Sequence, residues 1–166
     1  LDYPGAEAWV SGCHPLPSPH PRLPITKYFF FPGFDETTGG LLREAGLAAE
    51  RQSFAASPEQ QAALWRRLGH VPPATDALRV SLFAYENPAL ADLLARWARG
   101  ERRVCCLAPV TRTQAAIEQF AGQPLRAGDV FARGALEIRL LPFVAQPDYD
   151  RLLWSCDVSL VRGEDS

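Results

Sequence analysis

The stretch "RVCCLAP", residues 103–109, decides which fold class the sequence favours, because it is a short apolar run without polar alternation. A run of this length is typical of a strand rather than a helix. Its interior positions are all apolar, so both faces of that strand must be covered, as in parallel sheets that lie between layers of helices. The stretch therefore predicts a central strand in an α/β domain.

Further strands are predicted on both sides of this run. "LRVSLFA" (78–84) precedes it, and "ALEIRLLPF" (135–143) and "DVSLV" (157–161) follow it. Each is short and rich in β-branched, leucine or aromatic residues, which favours strands. An earlier aromatic run, "ITKYFFF" (25–31), predicts one more strand in the amino-terminal part of the chain.

Helices are predicted between these strands by their caps and by apolar spacing. Ser57-Pro58 and Asn87-Pro88 each combine an N-cap residue with a proline suited to the first turn, and Gly122 ends a third helix. In "QPDYDRLLWSC" (146–156) the apolar residues follow the i, i+3, i+4, i+7 rule of an amphipathic helix. Strands that alternate with helices predict an α/β fold, a Rossmann-like parallel sheet flanked by helices.

The amino-terminal part of the chain has a different composition. Seven of the fifteen prolines fall within residues 1–32, clustered in "CHPLPSPHPRLP" (13–24). Proline fixes φ and lacks an N–H donor, so this stretch is predicted to be an extended connector, either a rigid linker or a loop that lines a cleft. "LLREAGL" (41–47) is predicted to start a short helix.

Composition excludes some classes of partner. A formal charge of -2 supplies no basic surface for nucleic acid or for an anionic membrane. No apolar run approaches the roughly 18–20 residues that would span a bilayer. The four cysteines lack metal-type CxxC spacing, which favours reduced thiols and a cytoplasmic protein. The chain begins with Leu1 and contains no methionine, so we expect it to be an internal piece of a longer protein.

The carboxyl ends of the predicted strands bring chemically useful residues to one edge of the sheet, where open α/β sheets bind their ligands. Three separate loops supply them: Phe83 and Tyr85; Phe143 and Gln146; Arg162, Glu164, Asp165 and Ser166. Aromatic faces suit a flat base, and a guanidinium beside a helix N-terminus suits a diphosphate. The combination predicts a nucleotide site.

Each of these residues also has a purely structural interpretation. Phe83 and Phe143 could cap the core, and Gln146 could only begin its helix. Glu164 and Asp165 are common first-turn residues, because the helix dipole favours negative charge there. No further carboxylate lies near this pair in the sequence, so no metal site is predicted.

Three long stretches carry a resemblance to a known family: "KYFFFPGFDETTGGLLRE" (27–44), "SLFAYENPAL" (81–90) and "LPFVAQPDYDRLLWSCDVSLVRGEDS" (141–166). They closely resemble the bacterial arginine rhamnosyltransferases that modify translation elongation factor P. The resemblance implies a GT-B enzyme of two Rossmann-like domains. It also implies dTDP-β-L-rhamnose as donor, inversion at the anomeric carbon, an arginine side chain of elongation factor P as acceptor, and no metal or other cofactor.

The resemblance also implies roles for the residues at the predicted edge. Phe83 and Phe143 match aromatics that flank the thymine, and Tyr85 and Gln146 match donor contacts. Arg162, Asp165 and Ser166 match the end of the site that binds the diphosphate and the sugar. Glu164 matches an acidic residue important for activity, so Glu164 and Asp165 are the predicted catalytic residues.

The resemblance divides the chain between two domains. Residues 1–56 would be the end of the amino-terminal, acceptor-side domain with the interdomain connector, and residues 57–166 the first half of the nucleotide-sugar-binding domain. The family's general-base aspartate lies in a segment that would precede Leu1. A guanidinium is protonated at neutral pH and needs such a base, so we expect the isolated 166-residue polypeptide to be inactive.

Two alternatives stay open at this point. The protein could be a GT-B transferase that uses another nucleotide sugar or acceptor, or a non-catalytic nucleotide-binding module. Competition of dTDP against UDP and GDP would test the first alternative. The effect of Asp165→Ala on arginine modification would test the second.

Overall fold

The structure is a computed structural model that describes residues 15–17, 22, 26–28, 44–84, 87–110 and 113–161. The chain divides into two compact units, one of residues 1–47 with 163–166 and one of residues 48–162. In the first unit, strand β1 (Pro15–Pro17) pairs antiparallel with strand β2 (Thr26–Tyr28). Within the proline-rich segment, the described residues 15–17 are therefore extended, as predicted, and form a short strand.

The remaining elements, in chain order, are α1 (Leu47–Ala55), α2 (Pro58–Arg67), β3 (Leu78–Phe83), α3 (Ala89–Arg99), β4 (Val104–Pro109), α4 (Gln114–Ala121), β5 (Val130–Arg133), β6 (Leu136–Leu141), α5 (Gln146–Trp154) and β7 (Val158–Val161). Among the described residues, no helix is long and apolar enough to cross a membrane.

The sheet of the second unit has the strand order β5-β6-β4-β3-β7. β6, β4, β3 and β7 are parallel, and β5 is antiparallel to β6. β4 lies at the centre and all six of its residues are buried, which confirms the prediction made from "RVCCLAP". The α/β class, with a mostly parallel sheet flanked by helices, is confirmed as well.

Alternate residues of the strands face two separate apolar layers. On one face Val80, Cys106 and Ile138 pack against residues of α3 and α4. On the other face Leu107 and Leu141 pack against α1, α2 and α5. A strand that is covered by helices on both faces needs apolar residues at every position. This explains the unbroken apolar runs in the sequence.

The predicted helix ends are found with their capping contacts. Ser57 Oγ accepts a hydrogen bond from the Gln60 N–H at 3.2 Å, and Pro58 is the first residue of α2. Asn87 Oδ1 accepts one from the Ala89 N–H at 2.9 Å, and so caps α3. Gly122 closes α4 with a φ of 76°, a left-handed conformation that glycine adopts without a steric penalty.

Two elements differ from the prediction in extent or in existence. α1 begins at Leu47, the last residue of the stretch 41–47 that was predicted to start it, and runs to Ala55 with Phe54 as its one buried side chain. Phe54 belongs to the same apolar layer as Leu64 and Trp65 of α2. β5 had no counterpart in the sequence analysis, because its residues are largely exposed. Arg133 of β5 donates to the Phe120 carbonyl of α4 at 2.8 Å and stacks over the Phe120 ring at 4.6 Å.

The structure gives the burial of three of the four cysteines. Cys105 and Cys106 are buried free thiols, as expected, whereas Cys156 is only partly buried. The division of the chain between two domains at residues 56 and 57 stays a prediction.

Gly134, in the turn between β5 and β6, is the glycine with the least room. Its φ is +58°, and a Cβ built there would lie 2.0 Å from the Ala98 carbonyl oxygen. We expect Gly134→Ala to lower the free energy of unfolding by about 2 kcal/mol or more, because strain and a backbone clash act together. Urea denaturation measures this change.

The matched control for that substitution is Gly128→Ala. Gly128 has a φ of +94°, but a Cβ there meets nothing within 4 Å. The control carries the backbone strain without the clash, so it should be destabilised less. Equal destabilisation of the two variants would contradict the role given to the close approach at Ala98.

Candidate functional site

The carboxyl edge of the sheet contains the point at which the chain reverses its direction across the sheet. β3, β4 and β6 follow one another in one direction, and the connection through α5 then returns the chain to β7 on the far side of β3. Ligands of open α/β sheets bind at such a switch point. Here it lies between the ends of β3 and β7, where Phe83 and Val161 are paired.

Phe83 ends β3 and borders this switch point. Its side chain is 43% exposed, so it is not simply a core residue. The ring lies edge-on to Tyr149 of α5, with centroids 6.0 Å apart and an angle of 60° between the planes. This contact stabilises one orientation of the Phe83 ring at the edge of the sheet.

Phe143 lies two residues beyond the end of β6 and is 95% exposed. The alternative that Phe143 caps the core is therefore wrong, because an exposed ring has no core contacts to make. β4 separates β6 from β3, so the two strands that precede these phenylalanines are two strand spacings apart, about 10 Å. Both aromatics thus follow strands at the same edge, with one strand between them.

Gln146 is the first residue of α5, which agrees with its interpretation as a helix start. Its Nε2 donates a hydrogen bond to Asp150 Oδ1 at 2.8 Å along the same helix. The amide is exposed and lies three residues beyond Phe143, so the helix start and the exposed ring belong to one short segment.

An ion pair holds the first turn of α5 to the end of α2. Arg67 donates from Nε and Nη2 to the two carboxylate oxygens of Asp148, at 3.0 and 2.7 Å. Arg151 also donates to Asp148, at 3.3 Å. The hydrogen bonds from Arg67 hold the pKa of the Asp148 carboxyl below its usual range. The segment that carries Gln146 and Tyr149 is therefore fixed against α2.

Tyr149 is a residue of this edge that sequence reasoning did not assign to the site. It was predicted only as an inward residue of a helix, and it is indeed half-buried, which raises the pKa of its phenol. Its contact with Phe83 makes it part of the edge as well. No local signal could have shown this, because the contact joins α5 to a distant strand.

A cavity of about 440 Å³ adjoins the same edge on the side of α3. Its size falls in the range of small-molecule pockets, roughly 300–1,000 Å³. Its lining is mostly aliphatic and includes Leu82, Leu90, Leu93, Leu160 and Val161. Asn87 also lines it, but the Asn87 side chain caps α3. The described lining residues are suited to an apolar group rather than to a diphosphate.

The buried thiols carry no nucleophilic chemistry. Burial raises the pKa of Cys105 and of Cys156 to about 12 each, and it raises the pKa of Cys106 as well. Cys105 Sγ lies 3.6 Å from Glu137 Oε1, and Glu137 also pairs with the buried Arg139 at 2.7 Å. These thiols are protonated at neutral pH, and a thiol must ionise to attack a substrate.

Five of the predicted site residues lie outside the described residues: Tyr85, Arg162, Glu164, Asp165 and Ser166. Their convergence with Phe83, Phe143 and Gln146 on one ligand stays a prediction. Within the described ranges, no group of three His, Cys, Asp or Glu side chains could hold a metal ion. Since Glu164 and Asp165 are not among them, the predicted absence of a metal also stays a prediction.

The Arg67–Asp148 pair predicts an acid dependence of stability. The pKa of Asp148 is lowered from 3.8, so the stability that the carboxylate contributes is present above pH 3.8 and is lost as the pH falls through the folded-state pKa. We expect Asp148→Asn to lower the free energy of unfolding at pH 7. In this variant the free energy of unfolding should also fall less steeply as the pH drops below 3.8. Chemical denaturation over a pH series measures both effects.

Asp92, an exposed carboxylate of α3, supplies the control for this experiment. Asp92→Asn should keep the pH dependence of the unchanged protein. If Asp148→Asn gave the same pH dependence as Asp92→Asn, the ion pair would not be what couples stability to pH.

Comparison with known proteins places the geometry in a family context. All of residues 1–166 match the sequence model of a family described as elongation-factor P (EF-P) rhamnosyltransferase EarP. The chain is 52% identical to a protein-arginine rhamnosyltransferase of Pseudomonas putida, over 100% of this chain and 44% of that protein. It is 47% identical to a protein of the same name from Pseudomonas aeruginosa, with the same coverage of 100% and 44%.

A solved structure also resembles the chain, with a TM-score of 0.75 and 49% sequence identity over 82% of this chain and 45% of the other. That structure is described as the structural basis for EarP-mediated arginine glycosylation of translation elongation factor EF-P. The match confirms the predicted α/β, GT-B-type fold class. The chain spans about 44% of the length of the curated relatives it matches.

Proposed function

The chain belongs to the elongation-factor P rhamnosyltransferase family, and from this we propose that the whole protein transfers rhamnose to an arginine side chain of EF-P. The observation that carries the proposal is the match over every residue of the chain, together with identities of 52% and 47% to named protein-arginine rhamnosyltransferases. The partner of the reaction is thus a translation factor, and the protein acts in the bacterial cytoplasm.

The donor in this proposal is dTDP-β-L-rhamnose. Its support is the pair of exposed aromatics at the carboxyl edge, where the half-exposed Phe83 and the fully exposed Phe143 follow strands on either side of β4. A thymine needs flat apolar surfaces, and aromatic side chains offer these. Tyr85 and Gln146 contact the donor, and Arg162, Asp165 and Ser166 hold its diphosphate and sugar.

The proposed reaction inverts the anomeric carbon. The arginine nitrogen attacks from the face opposite the departing dTDP, so the guanidinium must lose a proton to a carboxylate on that face. Arg162 and the N–H groups of a helix start stabilise the negative charge that develops on the leaving diphosphate. Glu164 and Asp165 act on the sugar side of this centre. The proposal needs no metal and no other cofactor.

The decisive experiment incubates full-length protein with EF-P and dTDP-β-L-rhamnose. Mass spectrometry should find one deoxyhexose on an EF-P arginine, and NMR of the product should find the α-linkage that inversion requires. A β-linkage would overturn the inverting mechanism while leaving the transfer intact. If EF-P stayed unmodified, the proposed function itself would be wrong.

Exposed Phe143 gives a test of the donor site. Phe143→Ala in the full-length protein should weaken dTDP binding by about 1–3 kcal/mol, the scale of a lost base–aromatic stack. Calorimetry measures the affinity. The stability of the fold should not change, because the ring is 95% exposed.

Val158→Ala is the control for Phe143→Ala. Val158 is also an exposed apolar residue, at 41%, but it lies at the amino end of β7. Its substitution should leave dTDP affinity unchanged. Equal affinities for Phe143→Ala and the unchanged protein would remove Phe143 from the donor site.

Two further experiments separate the proposal from its alternatives. In competition, dTDP should displace the donor better than UDP or GDP, and a reversed order would favour another nucleotide sugar. Asp165→Ala should abolish arginine modification. Full modification by that variant would remove Asp165 from the reaction and favour a non-catalytic role for the site.

A further inference from the structure

Phe83 and Ser81 lie on the face of β3 that α5 covers. Ser81 pairs with Leu107 of β4, which belongs to the apolar layer shared with α1, α2 and α5. Side chains two positions apart on a strand point to the same face of a sheet. Phe83 therefore lies on the face of Ser81, whereas Leu82 between them belongs to the opposite layer.

Tyr149 of α5 contacts both of these positions. Its ring lies edge-on to Phe83 at the centroid distance of 6.0 Å, an arrangement that aromatic pairs prefer. Burial raises the pKa of the Tyr149 phenol, and the Ser81 hydroxyl beside it partly offsets that rise. The two hydroxyls are near each other without a hydrogen bond, since Ser81 Oγ has no such partner among the described residues. The contact with Phe83 is thus made by the ring of Tyr149.

The position of Tyr149 is fixed independently of Phe83. The Tyr149 N–H donates a hydrogen bond to the Ala145 carbonyl at 3.0 Å, within the first turn of α5. The preceding residue, Asp148, accepts two hydrogen bonds from Arg67 of α2. Tyr149 also packs against the apolar layer of this face. The tyrosine is therefore a rigid support against which the Phe83 ring can rest.

The orientation of Phe83 decides whether its ring can stack on a base. Rotation about the two side-chain torsions of phenylalanine turns the face of the ring toward a ligand or away from it. Tyr149 can cover only one of the two faces of this ring. A side chain that is ordered before binding loses less conformational entropy when the ligand arrives. The contact with Tyr149 thus favours the binding of a flat group by Phe83.

We propose that Tyr149 is a positioning residue that holds the Phe83 ring in place for the base of the nucleotide donor. The inference rests on the proposed function, since the orientation of Phe83 matters to the reaction only if Phe83 contacts the thymine. Tyr149 acts through Phe83 and on the base, which is not the reacting end of the donor. It should therefore affect donor affinity more than the rate of the chemical step.

The test measures the dTDP affinity of full-length Tyr149→Leu by calorimetry. Leucine keeps an apolar side chain on α5 and removes the aromatic ring. We expect the affinity to fall about 2- to 10-fold, the range that corresponds to the loss of an edge-on aromatic pair. In turnover with EF-P, KM for dTDP-β-L-rhamnose should rise by a similar factor, while kcat should change less than about 2-fold.

Two control variants separate the ring contact from other effects. Tyr149→Phe keeps the ring and removes only the hydroxyl, so it should retain the affinity of the unchanged protein. Trp154→Leu removes a different ring from the same helix and the same apolar layer, one that pairs with Phe54 at 5.9 Å. It should lower stability and leave dTDP affinity unchanged. An equal loss of affinity in Tyr149→Phe and Tyr149→Leu would overturn the role given to the ring.

A double-mutant cycle shows whether Tyr149 acts through Phe83 or by a general loosening of the fold. Phe83→Ala and Tyr149→Leu are measured singly and together. If Tyr149 positions the Phe83 ring, Tyr149→Leu should cause no further loss of dTDP affinity once Phe83 is replaced by alanine. Additive losses in the double variant would reject the positioning role.

The unchanged protein distinguishes a failure of this inference from a failure of the proposed function. If it binds no dTDP, the proposed donor site is wrong and the inference falls with it. If it binds dTDP and Tyr149→Leu binds dTDP equally well, only the inference is wrong. Should Tyr149→Leu fail to fold, Tyr149→Met replaces it with the same expected outcomes, because methionine also lacks a ring and adapts to irregular space.

Discussion

β4 lies at the centre of the sheet with all six of its residues buried, and this burial dictates how the other elements are arranged. Its alternate side chains face two apolar layers, so helices must cover the sheet on both sides. Leu107 and Ile138, on the two neighbouring central strands, are fully buried, and burial of such a side chain contributes about 1.5–3 kcal/mol. This arrangement favours parallel strands joined by helices, because the connection between two parallel strands must cross a face of the sheet.

The parallel arrangement in turn creates the candidate site. All four parallel strands end at one edge, and the return of the chain through α5 leaves a switch point between β3 and β7. Apolar packing determines the centre of the sheet. At this edge, Phe83 and Phe143 are exposed among the residues that the structure describes. The same scaffold that buries β4 thus leaves aromatic side chains exposed at the candidate site.

Two ion pairs hold elements that border the switch point. Arg67 and Asp148 hold the first turn of α5, and Arg79 and Asp157 hold the start of β7. Both are partly exposed bidentate pairs, so their direct contribution to stability is small. Their directional bonds are better suited to alignment than to stability. Each pair fixes an element that leads to or from the switch point.

The sequence by itself determined the types and the order of most elements. An unbroken apolar run such as residues 103–109 and a cap such as Ser57-Pro58 are local signals, since each depends on neighbours along the chain. β5 escaped prediction because it is exposed and is held by Arg133 against α4, a contact without any local pattern. The start of α1 was predicted within residues 41–47 but its extent was not, since its one buried residue, Phe54, cannot form a stripe.

For the candidate site, the sequence showed which residues follow the strands, and through its family resemblance what they are expected to bind. Only the tertiary structure decided that Phe143 is exposed while Phe83 rests on Tyr149. It alone decided that Asp157 meets Arg79, 78 positions away along the chain. Contacts of this kind depend on how elements pack and which registers they adopt. No short stretch of sequence contains that information, because it arises only when distant segments are brought together.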